Sequence, residues 1–226
     1  MDWWIVLIFG GRYREDDTVV EMLASALRRD ISFGVLAPDQ KLKIEQLRQR
    51  YGGSNHSMRE TLRMLTVEGM VEATAQRGFR VTSATDQDRN DILLMRLSLE
   101  ALALSRALQH GDVDWEASVM AAAHRLDRAD HAVQSSPDDV TALEWDETCR
   151  AFSFAVLGAC DSPRMLDTIG RHFDQSRRFR LALLREGRID FAERSRRRVA
   201  LKNAIIARDE ATALALLEDD IRAEMT

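Results

Sequence analysis

Three prolines and eleven glycines in 226 residues leave little to interrupt a helix. Ala, Leu, Arg and Glu are abundant, and these residues lose least on entering one. A chain with few breakers and many helix formers is expected to be mainly α. At roughly 100–200 residues per domain it holds one or two domains, and it is long enough to bury a sizeable core. Its 45% hydrophobic and 31% charged residues exclude a disordered chain, a collagen-like fibre and a polytopic membrane protein. Two cysteines cannot build a disulfide scaffold. On one helix, Cys149 and Cys160 would stand about 16 Å apart at roughly 1.5 Å per residue, too far to bridge. A reducing, cytoplasmic compartment fits that usage.

Residues 3–9 (WWIVLIF) are strongly apolar. A spanning helix needs about twenty such residues, and a signal peptide needs a basic start. Asp2 precedes the run, while Arg12 and Arg14 follow it. The segment reads as a short extension docked on the protein or as a start placed too early, with no membrane partner.

Charge is segregated along the chain. Residues 18–84 carry a net +3, residues 1–17 a net −2 and residues 85–226 a net −6, within a total of −5. A basic unit joined to an acidic one is compatible with nucleic-acid binding by the former.

Helical spacing of Val19, Val20, Leu23, Leu27 and Ile31 predicts a helix over 18–33. Thr18 and Glu21 form its capping box and Gly34 its stop. Pro38 fixes a turn. A second helix is expected over 43–51, with Ile44 and Leu47 inward. A third, capped by Ser54 or Asn55, runs through Glu68 with Met58, Leu62 and Leu65 as its apolar stripe. Alternating runs over 70–74 and 79–83, joined through Gly78, predict a β-hairpin. Three helices and a hairpin in this order form a winged helix-turn-helix, whose third helix enters the major groove. Asn55, His56, Arg59 and Arg63 lie on that helix away from its stripe, and Arg77 and Arg80 lie on the wing. Each alone would pass for a solvated surface. The ordered set points to DNA.

These residues carry a resemblance. The run 34–42 (GVLAPDQKL), Met58-Arg59-Glu60-Thr61-Leu62, Glu68-Gly69-Met70-Val71 and Arg77-Gly78-Phe79-Arg80-Val81 resemble the DNA-binding domain of the GntR family of bacterial transcription regulators. The family's first recognition-helix arginine is Asn55 here, which implies a different operator. The resemblance implies DNA contacts from Asn55 and Arg59 and a minor-groove approach at Gly78. The full DNA-contacting set expected is Lys43, Ser54, Asn55, His56, Arg59, Arg63, Arg77 and Gly78.

From Asp86 onward no strand is expected. Apolar residues at Ile92, Met95, Leu99, Leu102 and Ala103, then from Trp115 to Leu126, give helical stripes. Further helices are expected near 139–160, 164–186, 190–208 and 210–224, forming an all-α bundle. Arg96-x3-Glu100, Ala151-Phe152, Ser162-Pro163-x-x-Leu166 and Ala204-Ile205-x-Ala207-x-Asp209-x3-Ala213 resemble the effector domain of the FadR-like subfamily, known as the FCD type. The stretch Glu144-Trp145-Asp146 looks closest to regulators of carbon-starvation genes that sense glutarate.

Many such domains hold a divalent metal through one Asp and three His. By the resemblance those four positions are Cys149, Ser153, Arg198 and Asp220 here, and none is His. A cation at Arg198 opposes a metal, so no metal and no cofactor are expected. Instead Arg96 and Arg198 would grip a small carboxylate bidentately. Ser153 would supply a hydroxyl and Asp220 would orient an arginine, with Cys149 completing the effector-binding set. A plain Arg198–Asp220 salt bridge in a defunct pocket is the alternative. The runs Arg177-Arg178 and 194–198 read mostly as solvated faces.

No phosphate loop, metalloprotease motif or nucleophile elbow occurs, and Cys149 with the distant His172 makes no catalytic pair. The expectation is a non-enzymatic, ligand-responsive regulator. It has an extension over 1–17, a DNA-binding unit over 18–84 and an effector-binding and dimerisation unit over 85–226. Its partners are a double-stranded operator, a small carboxylate and a second copy of itself, and repression is its mode. A constitutive repressor with a vestigial pocket, a metal-dependent effector domain of the same family, and a metabolite-binding or enzymatic module with a relic head are the other readings.

Overall fold

A computed structural model describes residues 18–74 and 78–225. The reading of residues 3–9 and the placement of Arg77 fall outside these. The chain divides into two compact units that meet in the sequence at Asp88 and Arg89, within the first turn of a helix rather than just before it at 84/85.

The first unit opens with α1 (Val19–Ser32). The Glu21 amide donates to Thr18 Oγ1, and the Thr18 amide donates back to Glu21 Oε2 at 2.9 Å, so the capping box forms. A turn follows in which the Gln40 amide donates to Ala37 O at 3.1 Å. Pro38 takes its second position and Asp39 its third, at φ 62°. A type II turn demands positive φ there and normally takes Gly. Asp is among the few side chains that tolerate it.

Next come β1 (Lys41–Leu42), α2 (Ile44–Tyr51) and α3 (Asn55–Val67). Ser54 caps α3, accepting from the Ser57 amide at 3.0 Å. Gly53 must be Gly. Its φ is +81°, and an added Cβ would lie 2.9 Å from Leu23 Cδ1. The hairpin is β2 (Val71–Thr74) and β3 (Gly78–Val81). The antiparallel sheet has the order β1-β3-β2, with Val71 opposite Val81 and Leu42 opposite Phe79. Strand β1 is too short to show alternation, so periodicity could not reveal it.

Leu27, Met58, Leu62 and Leu65 are fully buried and centre this core. Asp30 is buried beside them. Its carboxylate accepts from Tyr51 Oη at 2.6 Å and Arg50 Nη2 at 2.9 Å, tying α1 to α2. Burial and that bond raise the Tyr51 phenol above its usual range.

The second unit comprises α4 (Asp86–His110), α5 (Val113–Ser135), α6 (Asp139–Leu157), α7 (Pro163–Arg185), α8 (Phe191–Ile206) and α9 (Glu210–Ala223). Asp112, Asp138, Asp190 and Asp209 each accept a backbone amide as N-cap. Helix α6 stops at Leu157, so Cys160 lies beyond it. Both cysteines are buried and free. Trp145 is fully buried, and its Nε1 donates to Asp130 Oδ1 at 2.8 Å. Among the described residues no helix is long and apolar enough to cross a membrane.

The expected α4 stripe is corrected. Met95 and Leu102 are exposed, while Arg96 and Glu100 are buried. Apolar periodicity marks the inward face only when that face is apolar. On α4 it is partly ionic, because the rest of the bundle brings matching charges to it.

Candidate effector pocket and nucleic-acid face

A lattice of buried ions runs through the second unit. Asp146, with no exposed surface, accepts from Arg177 Nε and from Arg180 at 2.7 and 2.8 Å. Arg180 also donates to Phe173 O and Ser176 Oγ, and stacks 3.9 Å from the Phe173 ring centre. Arg96 donates to Glu100 at 2.6 Å and to Glu224 at 2.9 Å. Arg177, expected on a solvated face, is therefore a core residue, as are Arg96 and Arg180. Each is neutralised by a carboxylate, as burial requires.

One cavity opens inside this lattice. Arg96, Glu100, Cys149, Ser153, Arg194, Asp220 and Glu224 form its polar wall, and its apolar wall includes Phe152, Phe173 and Leu217. The cavity volume is only about 20 Å³, space for roughly one or two waters. Arg194 is less well satisfied than Arg96, the other arginine of the wall. It is 5% exposed. It reaches Glu224 Oε1 from two nitrogens at 3.4 Å each and Cys149 Sγ at 3.5 Å. Its Nε has no partner. A buried guanidinium N–H without an acceptor is costly.

Four of the five expected effector residues, Arg96, Cys149, Ser153 and Asp220, line this cavity. Arg198 does not. Its guanidinium turns to α5, donating to Asp127 Oδ1 at 3.0 and 2.5 Å and to Asp130 Oδ2 at 2.6 Å. The expected Arg198–Asp220 pair is likewise replaced by Arg197, 3.5 Å from Asp220. Arg194, one turn earlier on the same helical row, is the arginine of the pocket. Spacing identifies a helix face, but a long side chain carries its head well away from it. Glu100 and Glu224 also escaped the set of expected pocket residues. In the sequence Glu100 stands out only through the family resemblance, and Glu224 follows the last helical turn with no motif around it.

The charges tune one another. Burial alone would raise the Glu224 carboxyl, but Arg96, Arg180 and Arg194 overcome this and hold it at about 2, down from 4.5. Burial raises Asp220, assisted by Glu224 and opposed by Arg194. Burial also pushes the Cys149 thiol well up, so it stays protonated. The Glu224 contribution to stability is full above about pH 4.5 and is lost as pH falls toward about 2. It amounts to on the order of 3 kcal/mol. Asp220 works in the opposite sense. The difference between the acid-unfolding profiles of the wild type and Glu224→Gln reports Glu224 together with its effect on Asp220. A flat difference across that window would remove this assignment.

On the first unit, Lys43 is exposed at the N-cap of α2, and Asn55, His56, Arg59 and Arg63 are exposed on α3. Asn55, Arg59 and Arg63 stand four residues apart and so form one row. Ser54 is exposed, but its hydroxyl is used in capping. Arg63 pairs with Glu60 at 2.6 Å, and Arg48 reaches Asn55 Oδ1 at 3.3 Å. Arg59 makes no ion pair among the described residues. Gly78 starts β3 at φ +84° with open space around it. Arg48 escaped sequence reasoning because α2 carries several similar polar residues.

Residues 19–81 match the model of bacterial regulatory proteins of the gntR family, and residues 91–223 match the FCD domain. The chain belongs to the gntR family. It is a transcription regulator with an FCD effector domain, not an enzyme. It is 33% identical to the HTH-type transcriptional repressor GlaR of Escherichia coli over 86% of this chain and 89% of that protein. It is 32% identical to the HTH-type transcriptional regulator BphR of Paraburkholderia xenovorans over 92% of this chain and 84% of that protein. The solved structure of E. coli McbR/YncC shares the fold, with a TM-score of 0.71 at 19% identity, covering 91% of this chain and 94% of that one.

The metal that FCD domains often hold does not fit this gntR-family member. Helix α8 contributes only Arg194 and Leu201 to the cavity, neither of them a metal ligand, and the Arg194 guanidinium touches Cys149. Among the described residues, no group of three or more His, Cys, Asp or Glu could hold a metal.

Proposed function

We propose that this regulator binds a small carboxylate in the FCD cavity, and that occupancy alters the affinity of the winged helix-turn-helix for its operator. One observation carries the reading. Arg194 is a buried guanidinium at the cavity wall with an unpartnered Nε and long contacts elsewhere, and a carboxylate satisfies such a fork through two parallel bonds. A ligand acts on the DNA-binding equilibrium only through its different affinities for the two states.

Repression is the proposed mode, in keeping with the name of the relative GlaR. Dimerisation and a two-fold symmetric operator go together. The exposed Leu94, Met95 and Leu102 on α4 offer apolar surface for a second copy to cover. The two free cysteines suit a reducing, cytoplasmic setting. Lys43, Asn55, His56, Arg59, Arg63, Arg77 and Gly78 supply the DNA contacts, with Ser54 shaping the start of α3.

The test is fluorescence anisotropy on an operator selected from random-sequence DNA, with and without acetate, succinate or glutarate. An acid-dependent change in affinity is expected. If no acid changes it, the reading of a constitutive repressor, favoured by the tightness of the cavity, replaces this one. On the same operator, Arg59→Ala should weaken binding by about 1–3 kcal/mol, with relaxed preference at one base position. Unchanged affinity would remove Arg59 from base readout.

A further inference from the structure

Glu224 has an unusual position. It closes the last turn of α9 and is 5% exposed. Its two oxygens face three arginines from three other helices: Arg96 of α4 at 2.9 Å, Arg194 of α8 at 3.4 Å and Arg180 of α7 at 4.0 Å. A carboxylate facing several guanidinium groups is the arrangement a binding site makes around an acidic ligand. Here the chain supplies that carboxylate itself. The fit to Arg194 is poor, with both bonds long and Nε left over. The cavity beside it is nearly filled, so an organic acid cannot enter without moving a wall residue. A side chain held at the end of a helix moves at lower cost than one in mid-helix, because end turns open locally.

We propose that Glu224 is an internal surrogate for the effector: its carboxylate occupies the place that the ligand's carboxylate takes, and binding displaces it and releases the last turn of α9. This rests on the carboxylate reading above and adds the competitor and the moving part. The acid trades places with a group of like charge, so the arginines remain neutralised throughout. Effector affinity is then set by the difference between two carboxylates, and the residue at 224 determines how much acid is needed.

The first test is calorimetric titration of succinate and glutarate into wild type and Glu224→Gln. Removing the competitor should tighten binding about ten-fold. Equal or weaker binding would overturn the surrogate while leaving the carboxylate site standing. The second uses Glu224→Ala, which deletes the atoms of one acetate. Acetate should raise the melting temperature of this variant by several degrees and leave the wild type nearly unmoved. No difference between the two overturns the proposal. The third needs no variant. Amide hydrogen exchange over residues 217–225 of the wild type should speed up at saturating glutarate, and unchanged or slower exchange overturns the displacement. If no acid binds any form, the carboxylate reading fails and the surrogate fails with it.

Discussion

Asp146→Ala should lower the stability of the FCD unit by about 3–5 kcal/mol, the usual consequence of removing one member of a buried ion pair. The carboxylate has no exposed surface and takes two arginines at once, Arg177 on one oxygen and Arg180 on the other. Arg177 would keep Glu147, which is partly exposed. Arg180 would keep the Phe173 carbonyl and the Ser176 hydroxyl, with Glu224 4.0 Å away. Arg177 thus keeps a charged partner, but Arg180 is left with neutral acceptors and a carboxylate beyond bonding distance, and its buried guanidinium cannot shed its proton. At roughly 2–4 °C per kcal/mol for a unit of this size, the melting point should fall by about 10 °C. Asp146→Asn, which keeps the shape and loses the charge, should fall nearly as far. A loss below about 1 kcal/mol in both variants would show that solvent reaches the arginines, and the lattice would then be no core feature.

Arg194→Ala and Arg198→Ala should fail in opposite ways. Arg194 has long bonds and a spare donor, so its loss is structurally mild, while the rise in melting temperature with a bound acid should vanish. Arg198 is firmly paired to Asp127 and Asp130. Removing it strands Asp130, which also holds the Trp145 indole, and should cost about 3–5 kcal/mol. The acid-induced rise should survive in that variant. Thermal shifts of the two proteins, with and without glutarate, check both halves. A retained shift in Arg194→Ala together with a lost one in Arg198→Ala would restore the assignment read from sequence.

The parts legible in the sequence are those governed by local chemistry. Thr18, Ser54, Asp138 and Asp209 are caps, and each starts its helix where its side-chain oxygen meets a free amide. The row Asn55, Arg59 and Arg63 could be read because Met58, Leu62 and Leu65 mark the opposite face. Strand β1 was not legible, since its pairing with β3 depends on a turn in which Asp39 takes a conformation usually left to Gly. The inward face of α4 was hidden for a different reason. Arg96 and Glu100 look like solvated residues until α9 brings Glu224 to meet them. The pocket arginine was missed by one turn, because Arg194 and Arg198 share a row and differ only in where their guanidinium groups end.

The ion lattice also bears on how such a protein can change over generations. Its members sit on α4, α6, α7 and α8 and at the end of α9, and apart from the Arg96–Glu100 pair within α4 the charges are balanced by others far away in the sequence. Effects within one network do not add. Loss of a firmly paired member is harmful alone and tolerable once its counterpart has gone. Positions 96, 100, 146, 177, 180, 194 and 224 should therefore be inherited as a block, with relatives keeping the set or replacing several members together. Drift would be slow inside the block and freer at exposed positions outside it, such as Arg196 and Arg222.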